Sequence, residues 1–255
     1  MSRVVSASWR LSPNFLPILA VFLVTGISLF AGWLYAPIAV FAFIVAGWFI
    51  SLCLHEAAHA LVAYWGGDRS VVEKGYLTLD PLAYAHPLMT FGLPILFLLL
   101  GGIGLPGGAV YINTGALRSK HWDAFCSAAG PLANLVVLAV LSFPFLLGLH
   151  VQMGTPAFWA ALAFLAALQG SAVVLNLLPV PGFDGFGIVK PYLPYEVQVQ
   201  AIQAAPFVSM IALVALSTTQ LGGAVWNAVF QLTSLFGLDP AYVFYGLHLF
   251  RFWQA

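Results

Sequence analysis

The chain carries the motif HEAAH at positions 55–59, inside a long apolar run that covers positions 36–65. In a helix, His55 and His59 are four residues apart and fall on one face, so both imidazoles can reach one metal ion. Glu56 is placed beside them to take a proton from a water on that metal. Ionisable groups inside a membrane helix cost roughly 2.5–3.5 kcal/mol each, so they are rare and usually functional. The run predicts a helix with a metal site; the alternative is a polar cluster that joins helices.

Composition places the whole chain in the bilayer. Of its 255 residues, 62% are hydrophobic and 6% are charged, whereas a soluble domain carries about 25% charged residues. The chain is therefore predicted to be an integral membrane protein. Its 8 basic and 8 acidic residues balance, and no basic face for nucleic acid is expected. Cys53 and Cys126 form no C-x-x-C motif and are interpreted as small buried hydrophobes.

The order of apolar runs predicts an all-α polytopic fold with about six transmembrane helices. The predicted spans are positions 14–35, 36–65, 125–149, 157–178 and 197–217, followed by the region 221–250. The last region contains two shorter runs, which are either one broken span or a span plus an interfacial helix. Positions 66–87 are more polar, but two short stretches have strand-like composition and predict a small β-hairpin or sheet at the membrane surface. His86 either lines the metal site or lies at the interface.

Positions 88–104 are apolar but short, and glycine and proline interrupt them. They either span the membrane or form a re-entrant segment. Lys and Arg collect in cytoplasmic loops, and the re-entrant choice with six crossings puts all 8 basic residues on one side. We therefore expect a re-entrant segment after the second helix. Both termini are then predicted to be cytoplasmic, in a bacterial cytoplasmic membrane.

A third metal ligand is needed, because catalytic zinc sites commonly have three protein ligands and one position for water. Asp184 is the best candidate, since it follows Pro179, Pro181 and Gly182, which must end a helix. Irregular backbone at membrane depth survives only when it is buried in protein or lines a wet cavity. The alternative is that Asp184 and Gly185 form a simple turn at the membrane surface.

Two asparagines also lie within predicted spans. Asn134 follows one turn after a Gly-Pro pair, and Asn176 lies near the end of the span before Asp184. Either amide could donate a hydrogen bond to an oxyanion, or it could join two helices, which is common in membranes.

Three signatures, in this order and spacing, resemble those of the site-2 proteases, which are zinc-dependent intramembrane metalloproteases. HEAAH matches the family's H-E-x-x-H, GPLAN at positions 130–134 matches G-P-x-x-N, and positions 176–185 match N-x-x-P-x-P-x-x-D-G at every fixed position. The resemblance implies one zinc ion bound by His55, His59 and Asp184, with Glu56 as general base. It also implies that Asn134 assists at the oxyanion or positions the substrate, with Asn176 as a further substrate-binding candidate.

The resemblance covers roughly positions 36–190, and we expect one transmembrane domain over 1–255, with the catalytic core at about 36–190 and C-terminal helices at 197–255. It implies a minimal member without PDZ or CBS domains. The implied reaction is hydrolysis of a peptide bond within or near the transmembrane segment of a single-pass membrane protein, such as an anti-sigma factor.

Substrate binding has a further candidate in positions 108–112, where Val110 and Tyr111 could form an edge strand that pairs with an unwound substrate. The alternative is an ordinary loop. Two other functions compete with proteolysis. A metal or proton transporter should show paired broken helices in two related halves, and no halves are seen. A catalytically inactive membrane scaffold is disfavoured because the three candidate ligands and the base are all present.

Overall fold

The computed structural model of the protein describes residues 11–34, 37–84 and 110–254. Helices dominate these residues. The α-helices are α1 Phe15–Ala31, α2 Pro37–Gly66, α3 Ser70–Glu73, α4 Lys120–Leu146, α5 Leu149–Gln152, α6 Pro156–Asn176, α7 Asp184–Val189, α8 Tyr195–Thr218, α9 Gln220–Ser234 and α10 Pro240–Phe250. Three short 3₁₀ turns lie at Thr114–Ala116, Lys190–Tyr192 and Phe252–Gln254.

Four of these helices, α2, α4, α6 and α8, are long and apolar enough to cross a membrane. Helix α1 is also apolar but has only 17 residues. These helices confirm the all-α polytopic class and a membrane protein. The number of crossings and the side on which the termini lie stay predictions.

Helix α6 is the centre of the bundle, and nearly all of its residues are buried. It is rich in alanine, and small residues let neighbouring helices approach closely. Helices α1, α2, α4, α9 and α10 all contact it. Helix α10 approaches it closely at Gly246, where a Cβ would collide with the carbonyl oxygen of Ala160. The bundle therefore presents one face of each of these helices to α6.

Helix α2 carries the HEAAH motif and ends where the sequence predicts. Gly67 has φ +125°, a conformation that L side chains rarely adopt, and its N–H bonds the carbonyl of Ala63. With 30 residues, α2 is about 45 Å long at 1.5 Å per residue. This exceeds the roughly 30 Å hydrocarbon core, so α2 must tilt or project from the bilayer.

The predicted β-hairpin in positions 66–87 is wrong. No strand or sheet occurs in residues 11–34, 37–84 and 110–254. Instead, the Asp68 carboxylate accepts hydrogen bonds from the N–H and the hydroxyl of Ser70 and starts the short helix α3. Turns follow, with Gly75 at φ +74° and Leu79 at φ 56°. Local turns thus use the backbone groups that a hairpin ladder would need, and strand-like composition does not decide the structure here.

Some predictions fall outside the described residues: the re-entrant segment at 88–104, His86 and positions 108–109. The C-terminal region, by contrast, is described. Its two apolar runs form separate helices, α9 with 15 residues and α10 with 11. The carboxylate of Asp239 accepts a hydrogen bond from the N–H of Ala241 and caps α10, so the chain starts a new helix at that point.

Candidate metal centre

Three side chains from two distant parts of the chain converge inside the bundle. The ligand atoms of His55, His59 and Asp184 all lie within 4.8 Å of one another. The two Nε2 atoms are 3.0 Å apart, and the Asp184 oxygens lie 3.3 Å from His55 Nε2 and 3.5 Å from His59 Nε2. Both histidines are buried. The structure therefore places the two helical histidines and the predicted third ligand around one point.

This donor set fits a zinc ion. Tetrahedral zinc with ligands at about 2.0–2.1 Å requires ligand atoms about 3.3 Å apart, close to the separations among the three side chains. Asp184 Oδ2 is buried and accepts no hydrogen bond from the residues that the structure describes. A buried carboxylate oxygen without a partner is costly, and a cation between the three side chains would remove that cost. His55, His59 and Asp184 are thus positioned to bind a metal.

Gly130 of α4 forms the floor of the centre. A Cβ at this position would collide with the imidazole rings of both His55 and His59. The next residue, Pro131, lies inside α4 and is buried. Proline has no N–H for the helical hydrogen bond. The Gly-Pro pair of the GPLAN signature therefore lies where α4 passes the two metal ligands without a side chain between them.

The second nitrogen of each histidine has a partner. His55 Nδ1 lies 2.5 Å from Asn134 Oδ1, and His59 Nδ1 lies 2.6 Å from the carbonyl oxygen of Cys126. Both partners are acceptors, so each ring carries its proton on Nδ1 and directs the Nε2 lone pair at the centre. A metal-ligating histidine almost always donates its other N–H in this way.

Asp184 reaches the centre through an irregular connection between α6 and α7. Gly182 has φ +101°, and Asp184 is the first residue of α7. A Cβ at Gly185 would collide with the carbonyl oxygen of Leu177, so only glycine allows this tight path. This path brings the carboxylate of Asp184 to within 3.3–3.5 Å of the two Nε2 atoms.

Glu56 lines the same space as the ligands. It is buried, and its Oε2 accepts a hydrogen bond of 3.1 Å from the N–H of Val110. A cavity of about 360 Å³ opens beside it. Its lining combines the ligands with polar and apolar side chains: His55, Glu56, His59, Val110, Tyr111, Ile112, Thr114, Asp123, Ser127, Asn176, Gly182, Asp184 and Lys190. A cavity of this size and polarity can admit water and an extended peptide.

The other predicted site residues divide into two groups. Val110, Tyr111 and Asn176 line the cavity, and their contact with a substrate stays a prediction. Asn134 lies behind His55 and lines a separate small space of about 10 Å³ together with Asn176. Its amide therefore contacts a metal ligand rather than the open cavity.

Sequence reasoning missed two residues that contact Asn134. Asn134 Nδ2 donates to Gln169 Oε1 at 2.9 Å and to Ser51 Oγ at 3.0 Å, and Ser51 Oγ also bonds Gln169 Oε1. One signal was available: Gln169 is an uncharged polar side chain in the middle of the apolar run that forms α6. A polar side chain at that depth needs a partner.

Comparison with known proteins gives consistent relatives. The chain is 42% identical to the zinc metalloprotease Rip2 of Mycolicibacterium smegmatis, over 99% of this chain and 98% of that protein. It is also 42% identical to Rip2 of Mycobacterium tuberculosis, over 97% and 96%. The identity to the zinc metalloprotease YwhC of Bacillus subtilis is 31%, over 76% of this chain and 88% of that protein. No family model and no solved structure matches the chain.

The fold, the donor set and these relatives together define a membrane-embedded zinc metalloprotease. The chain belongs to the site-2 protease family.

Proposed function

We propose that this protein is an intramembrane endopeptidase that hydrolyses a peptide bond within or near the transmembrane segment of a single-pass membrane protein. The observation that carries the proposal is the position of the metal centre. Its two histidines belong to α2, a helix long and apolar enough to span a membrane, and the centre opens on a cavity beside Glu56. A protease built in this way works on substrates that reach it from the bilayer.

The chemistry follows from the residues around the cavity. When bound by His55, His59 and Asp184, zinc supplies a Lewis acid that polarises a carbonyl and lowers the pKa of a water to near 7. Glu56 is the general base: it accepts a proton from the attacking water and passes it to the leaving amine. Its burial protects this carboxylate from bulk solvent, and the hydrogen bond from Val110 fixes its orientation.

The segment beside Glu56, residues 110–113, forms no helix or strand, and part of its backbone is available to a substrate. The N–H of Val110 is occupied by Glu56, the carbonyl of Tyr111 accepts from Lys74 Nζ at 2.9 Å, and the N–H of Asn113 donates to Asp68 Oδ2 at 2.7 Å. Between these anchors, the N–H and C=O of Ile112 have no hydrogen-bond partner among the described residues. We propose that an unwound substrate pairs with Ile112 as an added strand.

This strand pairing is tested with two variants of one residue. Ile112→Ala keeps the backbone N–H, whereas Ile112→Pro removes it. We expect cleavage to fall much further in the proline variant, with zinc content unchanged in both. Equal cleavage by the two variants would contradict strand pairing and leave the segment as a loop.

The protease proposal is tested by measuring zinc content and cleavage of a membrane-anchored substrate in detergent for wild type and Glu56→Gln. The matched control is Glu73→Gln, the same change in α3. We expect one zinc per chain in all three proteins and cleavage in wild type and the control only, at a site that mass spectrometry places in or next to the transmembrane segment. Zinc in every protein without cleavage in any would favour an inactive scaffold, and equal cleavage by Glu56→Gln would remove Glu56 from the mechanism.

A further inference from the structure

Behind the metal centre, three side chains from three helices form a buried hydrogen-bonded network. Ser51 of α2, Asn134 of α4 and Gln169 of α6 are all buried. Each bonds the other two, and among the described residues the hydrogen bond that joins the network to the centre runs between Asn134 Oδ1 and His55 Nδ1. None of the three is a metal ligand or lines the main cavity.

The donor and acceptor of each hydrogen bond in the network can be assigned. Gln169 Nε2 donates to the carbonyl oxygen of Leu165, which leaves Gln169 Oε1 as the acceptor for Asn134 Nδ2 and Ser51 Oγ. Because Asn134 uses its NH₂ group on these two partners, its Oδ1 must face His55. An amide oxygen only accepts, so the proton of the neutral His55 ring is held on Nδ1 and the lone pair on Nε2.

We propose that Gln169 and Ser51 are positioning residues of the metal centre, which act through Asn134 to fix the tautomer and the ring orientation of His55. The proposal rests on the metal centre but not on the protease reaction. In this proposal Asn134 accepts a hydrogen bond from the metal ligand His55 and does not donate one to an oxyanion.

The two histidines are therefore held by different means. His59 donates to a backbone carbonyl, that of Cys126, which no side-chain substitution removes. His55 instead depends on side chains. Two of them, Ser51 and Gln169, are bonded to each other although they lie 118 positions apart in the sequence. Substitution of the network should consequently affect the metal through His55 alone.

A simpler role for the same residues is to join α2, α4 and α6, since buried amides between membrane helices are worth about 0.6–2 kcal/mol. The two roles differ in what they predict. A joining role lowers thermal stability but leaves the zinc affinity of the folded protein unchanged. A positioning role changes the zinc affinity, because outer partners of metal ligands typically contribute 10–100-fold.

The test measures zinc affinity, by competition with a chelator, and melting temperature of the detergent-solubilised full chain. Gln169→Leu has similar volume and removes the partner that orients Asn134, so we expect about tenfold weaker zinc binding. Asn134→Leu should lose as much or more. Asn134→Asp keeps an acceptor for His55 Nδ1, and Gln169 can turn its NH₂ group toward the new carboxylate, so this variant should retain most of the affinity.

The matched control is Ser171→Ala. Ser171 is a buried polar residue of the same helix, but its hydroxyl donates to the carbonyl of Leu168 and has no other partner among the residues that the structure describes. We expect wild-type zinc affinity for this control. Should Gln169→Leu fail to fold, the smaller change Ser51→Ala replaces it, with a weaker loss of affinity expected. Wild-type zinc affinity in the folded network variants would overturn the proposal, whatever their cleavage activity; loss of cleavage with the expected affinities would bear on the protease proposal alone.

Discussion

Gly130 sets how closely α4 can pass the metal centre. A methyl group at this position would meet His55 and His59 at distances that Cβ atoms essentially never show. The atoms that such a methyl group would meet belong to the two imidazole rings, and these rings must keep their positions to bind the metal. A side chain at position 130 must therefore displace either the rings or the metal.

We expect Gly130→Ala to lose zinc affinity by about 10–100-fold, the range for changes next to metal ligands. The control is Gly223→Ala in α9, where a Cβ would meet nothing within 4 Å. This control should keep zinc affinity, because the added methyl group meets no other atom. Alanine also suits a helix better than glycine, by about 1 kcal/mol. Zinc content after chelator treatment distinguishes the two variants. An unchanged value for Gly130→Ala would mean that α4 can move away from the two histidines and that the close approach is not required.

At the scale of elements, the centre depends on how α7 docks on α4. Asp184 begins α7, and Lys190, just beyond its end, forms an ion pair with Asp123 of α4 at 3.2 Å. Between them, a Cβ at Gly187 would lie 2.9 Å from the Cβ of Ser127. This close packing fixes the distance between Asp184 and the histidines of α2, because α4 contacts both helices.

Enlarging this contact should separate the ligand from its partners. Gly187→Ala is expected to weaken zinc binding, since overpacking costs about 1–3 kcal/mol. The second change Ser127→Gly removes the opposing side chain, and the double variant should recover zinc affinity that Gly187→Ala loses. Ser127→Gly alone serves as the control for a glycine within α4, which costs about 1 kcal/mol. The measurement is the zinc affinity of wild type, the two single variants and the double variant. If the losses of the two single changes simply add in the double variant, the docking argument is contradicted.

For the whole molecule, the buried and exposed faces of the helices match a bilayer rather than water. Helix α8 is long and apolar enough to span a membrane, yet none of its residues from Tyr195 to Leu216 is buried in the protein. Exposed apolar side chains on such a helix need lipid around them. We therefore expect the exposed apolar side chains of α8 to face the hydrocarbon core.

Labelling in membrane vesicles tests this placement. Cys53 and Cys126 are free and buried, so introduced cysteines report against a low background. Met210→Cys lies in the middle of α8 and should resist a water-soluble maleimide, whereas Glu196→Cys at the start of α8 should react. The comparison is the extent of labelling before and after detergent is added. Equal labelling of both positions in intact vesicles would place α8 outside the bilayer.

Local periodicity explains why much of the centre is predictable. His55 and His59 share a helix face through their spacing alone, and the ends of α2 and α6 follow from the glycines and prolines after them. Asp184 needed the family resemblance, because the residues left a surface turn as an alternative. The hairpin prediction failed because hydrogen bonds to the Asp68 carboxylate and local turns outweigh the weak preference of valine and tyrosine for strands.

The sequence by itself determined that this protein is a helical membrane protein with two histidines on one helix face, because hydropathy and helical spacing act between near neighbours in the chain. Its membership of the zinc metalloproteases came from the resemblance of its three signatures and from its relatives. Only the tertiary structure decided which side of His55 the Asn134 amide contacts, and that Ser51 and Gln169 stand behind it. These contacts join three helices that are far apart in sequence. Their geometry depends on how the helices pack around α6, and no local sequence pattern specifies the distances between these helices.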